Sequence, residues 1–257
     1  MSVAPLNGPR LLQITDTHLY ADPDAVHAGV VPERRFRAVL AALSPWLADA
    51  QAILHSGDLV HDGTLAAYQR LHSALGALER PGRVIPGNHD DREALGSVFA
   101  SGPISAARTL VVGDWTLIGL DSLQPGRVTG ALADDELVAL DAALAAMTTP
   151  WCLIAVHHPP VPVGTPWLDA LGLEQPEPLL QRIDADPRIR AVLSGHVHTA
   201  SSARRHGCRM LTTPATAAQF LAGAERFTTD PGAPGFRWLD LRADGGIDTS
   251  VVRVPMD

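Results

Sequence analysis

The chain has 257 residues, 46% of them hydrophobic, which is enough for one α/β domain with a well-buried core, and we expect that domain to span residues 1–257. Basic residues number 20 against 28 acidic ones, so the formal net charge is −8. This balance argues against a partner that is a nucleic-acid polymer, because such proteins carry a basic stripe. A small anionic substrate remains compatible, since a bound metal ion can dominate the local field.

Two cysteines, Cys152 and Cys208, are too few for a disulfide framework, which favours a reducing cytoplasm. The segment 1–10 has no signal-peptide pattern, and no apolar run approaches the length of a membrane span. We therefore expect a cytoplasmic protein without a membrane partner.

Strands and helices alternate in the first part of the chain, where short apolar runs predict strands and helical spacing of apolar residues predicts helices. In chain order we predict strand 11–15, helix 32–48, strand 52–56, helix 64–79, strand 83–86 and a helix to about residue 100 that Asp90 and Asp91 could cap.

Strand pairs become more frequent after residue 100. We predict a hairpin of 109–112 with 115–120, helix 133–147, strand 151–156, helix 177–185, strand 190–194, and strands at about 199–206, 208–213, 235–241 and 247–254. This order predicts an α/β fold of two packed sheets covered by helices. Loops 159–176 and 214–234 are long enough to be functional or mobile.

Five polar stations follow apolar runs in this order. They are Asp16-Thr17-His18, Gly57-Asp58, Gly87-Asn88-His89-Asp90, His157-His158 and Gly195-His196-Val197-His198. Their side chains offer nitrogen and oxygen ligands and no thiolate, which suits Fe, Mn, Zn or Co. Seven candidate ligands are too many for one tetrahedral ion and suit two ions that share a carboxylate: Asp16, His18, Asp58, Asn88, His157, His196 and His198.

The spacing within the stations suggests individual roles. Asp16 and His18 are two residues apart, so in an extended chain they point the same way. Asp58 has two carboxylate oxygens and is the candidate bridge. His89 adjoins the ligand Asn88, so its side chain is free to donate a proton to a leaving alkoxide.

Other histidines near the stations have plainer interpretations. We expect His158 to orient a metal-ligating side chain. The alternative is that His158 lines the pocket. We expect His61 in a loop near the mouth of the site, His55 in the core, and His27 at the surface.

The stations resemble the pattern of the calcineurin-like metallophosphoesterase superfamily, D-x-H, G-D, G-N-H-[DE], H, G-H-x-H, over roughly residues 13 to 198. The resemblance implies a four-layer α-β-β-α sandwich of two mixed sheets flanked by helices. It implies a first ion on Asp16, His18, Asp58 and His198, and a second on Asp58, Asn88, His157 and His196. It also implies a metal-bridging hydroxide as nucleophile, in-line attack on phosphorus, and substrate contacts from His18, Asp58, Asn88, His89 and His198, with His89 as the proton donor.

Segments beyond the stations resemble the bacterial class III cyclic-nucleotide phosphodiesterases, above all those acting on cyclic AMP. They are Trp167-Leu168-Asp169, Thr213-Pro214-Ala215-Thr216, Gln219-Phe220 and Pro234-Gly235-Phe236-Arg237. Glu136-Leu137-Val138-Ala139 stands where that branch usually carries Gln-Leu-x-Trp, a departure outside the metal site. The resemblance implies hydrolysis of 3′,5′-cyclic nucleotides to 5′-monophosphates with two divalent ions, Fe or Mn before Zn or Co.

Three alternatives stay open at this stage. The substrate could be another small phosphodiester, such as a glycerophosphodiester or a 2′,3′-cyclic nucleotide, or it could be a phosphomonoester. A non-catalytic protein-interaction scaffold is remote, because His89 and all seven ligands are present. A second copy of the chain, in a homodimer, is the other partner considered.

Overall fold

Two six-stranded sheets organise the chain in this computed structural model, which describes residues 8–256. Most of segment 1–10, for which we expect no signal peptide, lies outside that range. The elements in chain order are β1 (Arg10–Ile14), α1 (Pro32–Leu47), β2 (Ala50–His55), α2 (Leu65–Gly76), β3 (Gly82–Val84), α3 (Arg92–Val98), β4 (Ile104–Ser105), β5 (Thr109–Val112), β6 (Trp115–Leu120), α4 (Asp134–Ala146), β7 (Trp151–Val156), α5 (Pro166–Asp169), α6 (Glu177–Ala185), β8 (Ile189–Ser194), β9 (Ser201–Arg205), β10 (Cys208–Thr212), β11 (Gln219–Phe220), β12 (Thr229–Asp230), β13 (Gly235–Leu241) and β14 (Ile247–Arg253).

Both sheets are mixed. The first has the order β14-β13-β1-β2-β3-β4, in which β1 to β4 are parallel and β13 and β14 are antiparallel. The second has the order β5-β6-β7-β8-β10-β9, with a parallel centre and an antiparallel strand at each edge. Strands β11 and β12 form a separate two-stranded pair. Because the central strands are parallel, their carboxyl ends meet at one edge of each sheet.

Side-chain alternation along the strands produces three apolar layers. In β1, Leu12 and Ile14 pack against α1 and α2, whereas Leu11 faces the second sheet. Leu153 and Leu193 of the second sheet meet Leu11 in the middle layer. The outer face of that sheet packs against α4 and α6 in a third cluster. Three apolar layers separate four layers of structure, so the predicted α-β-β-α sandwich is confirmed.

Most predicted elements agree with the structure to within a few residues, but four short ones were not predicted. These are β4, α5, β11 and β12, each of two to four residues. Such segments are too short to show a hydrophobic period. The cap of α3 is Asp91, whose side chain accepts a hydrogen bond from the backbone nitrogen of Ala94, and Asp90 has a different role.

Both cysteines are buried free thiols. None of the helices within residues 8–256 is long and apolar enough to cross a bilayer.

The Asp90 carboxylate joins the loops that follow β2 and β3. It accepts hydrogen bonds from the backbone nitrogens of Leu59, Val60 and Gly87 and from the hydroxyl of Tyr68, at 2.8–3.1 Å. Burial and the nearby Asp58 carboxylate raise the pKa of Asp90 to about 7, against the effect of these donors. The two loops, which carry stations, are therefore fixed to each other through one side chain.

We expect Asp90→Ala to lower the free energy of unfolding by about 3 kcal/mol or more, because it leaves several buried donors without an acceptor. Asp90→Asn retains one acceptor oxygen and should cost less. Urea unfolding at neutral pH measures both, with Asp114→Ala, a change at an exposed turn residue, as the control. Wild-type stability of Asp90→Ala would contradict this role.

Candidate metal centre

The five stations meet where strands of both sheets end. Those after β1, β2 and β3 belong to the first sheet, and those after β7 and β8 to the second. The loops after β1 and β2 continue their pairing, since the backbone nitrogen of Asp16 donates to Gly57 and that of His18 to Asp58, both at 3.0 Å. The backbone nitrogen of His196 donates to the Asp16 carboxylate at 3.0 Å, which joins the two sheets.

Five of the seven candidate ligands have left-handed backbone conformations. The φ angles are 53° at Asp16, 46° at His18, 52° at Asp58, 67° at His196 and 50° at His198. The expectation that Asp16 and His18 belong to an extended chain was wrong, because β1 ends at Ile14 and both residues have left-handed φ angles. Their side chains nevertheless reach the same group of ligand atoms, as predicted. Non-glycine residues with this conformation are strained and cluster at functional sites.

A first group of ligand atoms comes from both sheets. One oxygen or nitrogen each of Asp16, His18, Asp58 and His198 lies within 4.8 Å of the others, and all four side chains are buried. The Nε2 atoms of His18 and His198 are 3.1 Å apart. The other ring nitrogen of His198, Nδ1, donates to the carbonyl of Ala218 at 2.7 Å, so Nε2 presents its lone pair to the group. A cation fits between these lone pairs and carboxylate oxygens.

A second group surrounds His157 and His196. His157 Nδ1 donates to the carbonyl of Ser56 at 2.8 Å, and His196 Nδ1 donates to Asn88 Oδ1 at 3.0 Å. The Nε2 atoms of both histidines are buried. That of His196 has no hydrogen-bond partner among the described residues, and that of His157 faces Asp58 Oδ2 at 3.3 Å. A buried acceptor without a partner is costly, and a metal ion satisfies it. Asn88 Oδ1 retains a second lone pair for an ion.

Asp58 connects the two groups. Its Oδ2 lies 3.5 Å from His18 Nε2 and 3.3 Å from His157 Nε2, one histidine from each group. Its Oδ1 accepts a hydrogen bond from the backbone nitrogen of His89 at 2.9 Å. This geometry suits a carboxylate shared by two ions.

Burial and carboxylates have opposite effects on the pKa values of these histidines. Burial lowers the pKa of His18 and of His196 well below the usual value, which favours the neutral imidazole that binds metals. Burial also opposes the charged form of His157, but Asp58 and Asp16 outweigh it and raise the pKa of His157 to about 9. Burial likewise opposes ionisation of Asp58, yet His157 holds the pKa of this carboxyl well below its usual value.

His158 is buried beside His196 but has no free ring nitrogen. Its Nδ1 contacts Ser122 Oγ at 2.8 Å, and its Nε2 donates to the carbonyl of Val128 at 3.0 Å. The side chain therefore holds the loop 121–133 against the metal centre, and neither of its hydrogen bonds goes to a candidate ligand.

Gly57 provides the space that His157 occupies. A Cβ built at this position would lie 2.2 Å from His157 Nδ1, and its φ is 102°. Any other residue would displace the imidazole, so the glycine before Asp58 is required sterically as well as conformationally.

A cleft with a cavity volume of about 200 Å³ opens above the ligands. The residues that line it are His18, His27, Asp58, Asn88, His89, Val128, Trp167, Leu168, Leu171, His196, His198, Phe220 and Phe227. His89 is half-buried and lines the cleft without taking part in either group of ligand atoms.

Two histidines that sequence analysis placed outside the ligand set lie next to it. His27 is half-buried and stacks on His18 at 5.0 Å, so the prediction that it lies at the surface was wrong. His61 Nδ1 is 3.2 Å from His18 Nδ1, and its ring stacks on His89 at 4.3 Å. The loop between β1 and α1 carries His27 back over the site, a path that no local sequence signal reveals.

His61 is placed to hold His18. If His18 binds a metal through Nε2, its Nδ1 carries a proton and donates to His61. We therefore expect His61→Ala to weaken binding of one ion by about 10–100-fold, the usual effect of removing such a partner. Competition with a chelator measures this affinity.

His61→Gln keeps an acceptor in reach and should lose less, and His206→Asn changes an exposed histidine as the control. Wild-type metal affinity in His61→Ala would show that His18 needs no such support.

Comparisons with known proteins agree with this geometry. Residues 9–200 match the family described as calcineurin-like phosphoesterase. The chain is 35% identical to the 3′,5′-cyclic adenosine monophosphate phosphodiesterase CpdA of Pseudomonas aeruginosa, over 95% of this chain and 89% of that protein. It is 36% identical to the protein of the same name from Escherichia coli K12, over 95% and 90% of the two chains.

Among solved structures, a dimetal phosphatase from Danio rerio superposes with a TM-score of 0.71 over 97% of this chain and all of that chain, at 14% identity, which shows a shared fold. The matched region contains every station from Asp16 to His198. The chain belongs to the calcineurin-like phosphoesterase family.

Proposed function

We propose that this protein is a metal-dependent phosphodiesterase that hydrolyses 3′,5′-cyclic nucleotides, cyclic AMP first, to 5′-nucleoside monophosphates. The observation that carries the proposal is the shared Asp58 carboxylate between two groups of ligand atoms, together with the unpartnered Nε2 atom of His196. Relatives about 35% identical over nearly the whole chain carry the name of this activity.

Two divalent ions fit these residues. In the proposed arrangement, Asp16, His18, Asp58 and His198 hold one ion, and Asp58, Asn88, His157 and His196 hold the other. Such ions lower the pKa of water and neutralise charge on the phosphoryl oxygens when bound. We propose Fe or Mn first, with Zn or Co as alternatives; the nitrogen and oxygen donor set suits all four metals.

The lining of the cleft favours a diester over a monoester. Among the described residues that line it, none is a lysine or an arginine. A phosphodiester carries one negative charge at neutral pH, whereas a monoester carries nearly two, so a lining without cationic side chains suits the diester better. The apolar part of the lining includes Val128, Leu171 and three aromatic rings, which suits a nucleoside better than a glycerol group.

His89 is the proposed proton donor. Cleavage of a 3′,5′-cyclic nucleotide to the 5′-monophosphate breaks the bond between phosphorus and O3′, and O3′ leaves as an alkoxide that requires a proton. His89 lines the cleft, and its backbone is fixed to Asp58 Oδ1. Stacking against His61 and an edge contact with His18 hold its ring. An intact donor and ligand set argues against a non-catalytic scaffold.

A small phosphodiester is the proposed partner, and we propose neither a nucleic-acid polymer nor a membrane as a further one. A homodimer is compatible with this function. We propose a cytoplasmic location, supported by the two buried free thiols Cys152 and Cys208.

A panel of substrates tests the proposed reaction. With the Mn-loaded protein, we expect the highest kcat/KM on 3′,5′-cyclic nucleotides, a lower value on 2′,3′-cyclic AMP and glycerophosphoethanolamine, and the lowest on p-nitrophenyl phosphate. Release of 5′-AMP rather than 3′-AMP identifies the bond that breaks. A higher kcat/KM on the monoester or on the glycerophosphodiester would overturn the substrate assignment.

His89→Ala tests the proton donor. We expect kcat on cyclic AMP to fall by about 10²–10⁴-fold, the range for loss of a general acid, with metal content unchanged. The loss should be much smaller on bis(p-nitrophenyl) phosphate, whose leaving group departs without a proton.

His206→Asn, an exposed change, is the matched control and should retain full activity on both substrates. An equal loss of activity on both substrates in His89→Ala would exclude proton donation as the role of His89.

A further inference from the structure

Three aromatic rings form one wall of the cleft. Trp167 lies 5.2 Å from Phe220 and 5.5 Å from Phe227, and the two phenylalanines are 5.4 Å apart, all in edge-to-face contact. We call these three residues the aromatic wall. The Nε1 atom of Trp167 is buried without a hydrogen-bond partner among the described residues, so packing alone holds the indole.

The aromatic wall begins at the metal centre. The ring of Phe220 lies flat against that of the candidate ligand His198, with 4.1 Å between centroids and an angle of 5° between planes. Phe220 in turn contacts Phe227, so the aromatic wall runs from the candidate ligand His198 to an exposed ring. A ligand whose phosphate lies at the metal centre therefore has an aromatic surface beside it in the same cleft.

Hydrogen bonds fix the wall before any ligand arrives. Phe220 belongs to the β11–β12 pair, and beyond it the backbone nitrogen of Leu221 donates to Thr228 at 2.9 Å. Phe227 lies in the turn between these strands. The backbone nitrogen of Gly223 donates to Thr165 Oγ1 at 2.9 Å, which ties this turn to the start of α5, where Trp167 is located.

Phe227 is the exposed member of the wall. Its side chain is 60% exposed, whereas Phe220 and Trp167 are half-buried. An exposed phenylalanine at the mouth of a polar site gains free energy only when something apolar covers it. The face of a nucleobase is apolar and stacks on aromatic rings, and it does so without cationic side chains, which are absent from the described lining.

We propose that Phe227 is the platform on which the nucleobase of the substrate stacks, and that Trp167, whose ring is at 70° to that of Phe227, contacts the edge of the base. The inference rests on the proposed function and deepens it, because it assigns recognition of the nucleoside half to residues outside the metal centre. Phe220 supports the platform and the imidazole of His198 together.

Binding measurements with two ligands that share a phosphate test the platform. Isothermal titration of the Mn-loaded protein with AMP and with ribose 5-phosphate compares a ligand that has a base with one that lacks it. We expect the wild type to bind AMP more tightly than ribose 5-phosphate. Phe227→Leu should weaken AMP binding by about tenfold, within the range measured for loss of base stacking, and should leave ribose 5-phosphate binding unchanged.

Two further variants separate stacking from general apolar contact. Phe227→Tyr retains the ring and should bind AMP like the wild type. Val138→Ala changes an equally exposed apolar residue on α4, away from the cleft, and should change nothing. Because Phe227 is largely exposed, its substitutions should leave folding intact. AMP should also quench tryptophan fluorescence in the wild type more than in Trp167→Phe.

Two results would overturn the platform: equal affinity of the wild type for AMP and ribose 5-phosphate, or equal weakening of both ligands by Phe227→Leu. A separate measurement tests the proposed function: absence of cyclic-nucleotide hydrolysis by the wild type would contradict it. If AMP binding depends on Phe227 while cyclic AMP is not hydrolysed, the platform stands and the reaction assignment falls.

Discussion

The position of the Asp58 carboxylate is the constraint on which the rest of the site depends. One of its oxygens faces His18 on the first sheet and His157 on the second, and the other is held by the backbone of His89. Moving this carboxylate would separate the two groups of ligand atoms and would at the same time displace His89, the candidate proton donor. Much of the local architecture maintains that position, including the glycine at 57 and the hydrogen bonds collected by Asp90.

Backbone strain is the physical cost of this arrangement. The chain leaves the ends of β1, β2 and β8 through left-handed turns at ligand positions, where most residues would prefer another conformation. The surrounding structure overdetermines these turns through backbone pairing between loops and through three buried apolar layers. A large, well-packed sandwich is thus the condition for a rigid site built from strained loops.

Much of the fold and the set of residues that meet were predictable from the sequence. Apolar runs and helical spacing located β1, β2, α1 and α2 because each buries a regular face. The stations predicted a shared metal centre because their donor types and their places at strand ends agree. Conformation was less accessible. Aspartate and histidine are enriched in the left-handed region, but most of them adopt other conformations, so residue type alone does not predict the turns at Asp16 and His18. The positions of His27 and Phe227 depend on where long loops return, which is set by tertiary packing and leaves no local period in the sequence.

The metal centre lies on the seam between two sheets, since β1, β2 and β3 supply some of its side chains and β7 and β8 supply the others. Ions bound there connect the two six-stranded sheets, because each ion has ligands from both. Their binding free energy is added to that of folding by mass action, because an unfolded chain cannot assemble the same ligands. Resistance to heat and to proteolysis therefore depends on metal supply as well as on sequence. Scarcity of metal would lower the amount of folded enzyme as well as its activity.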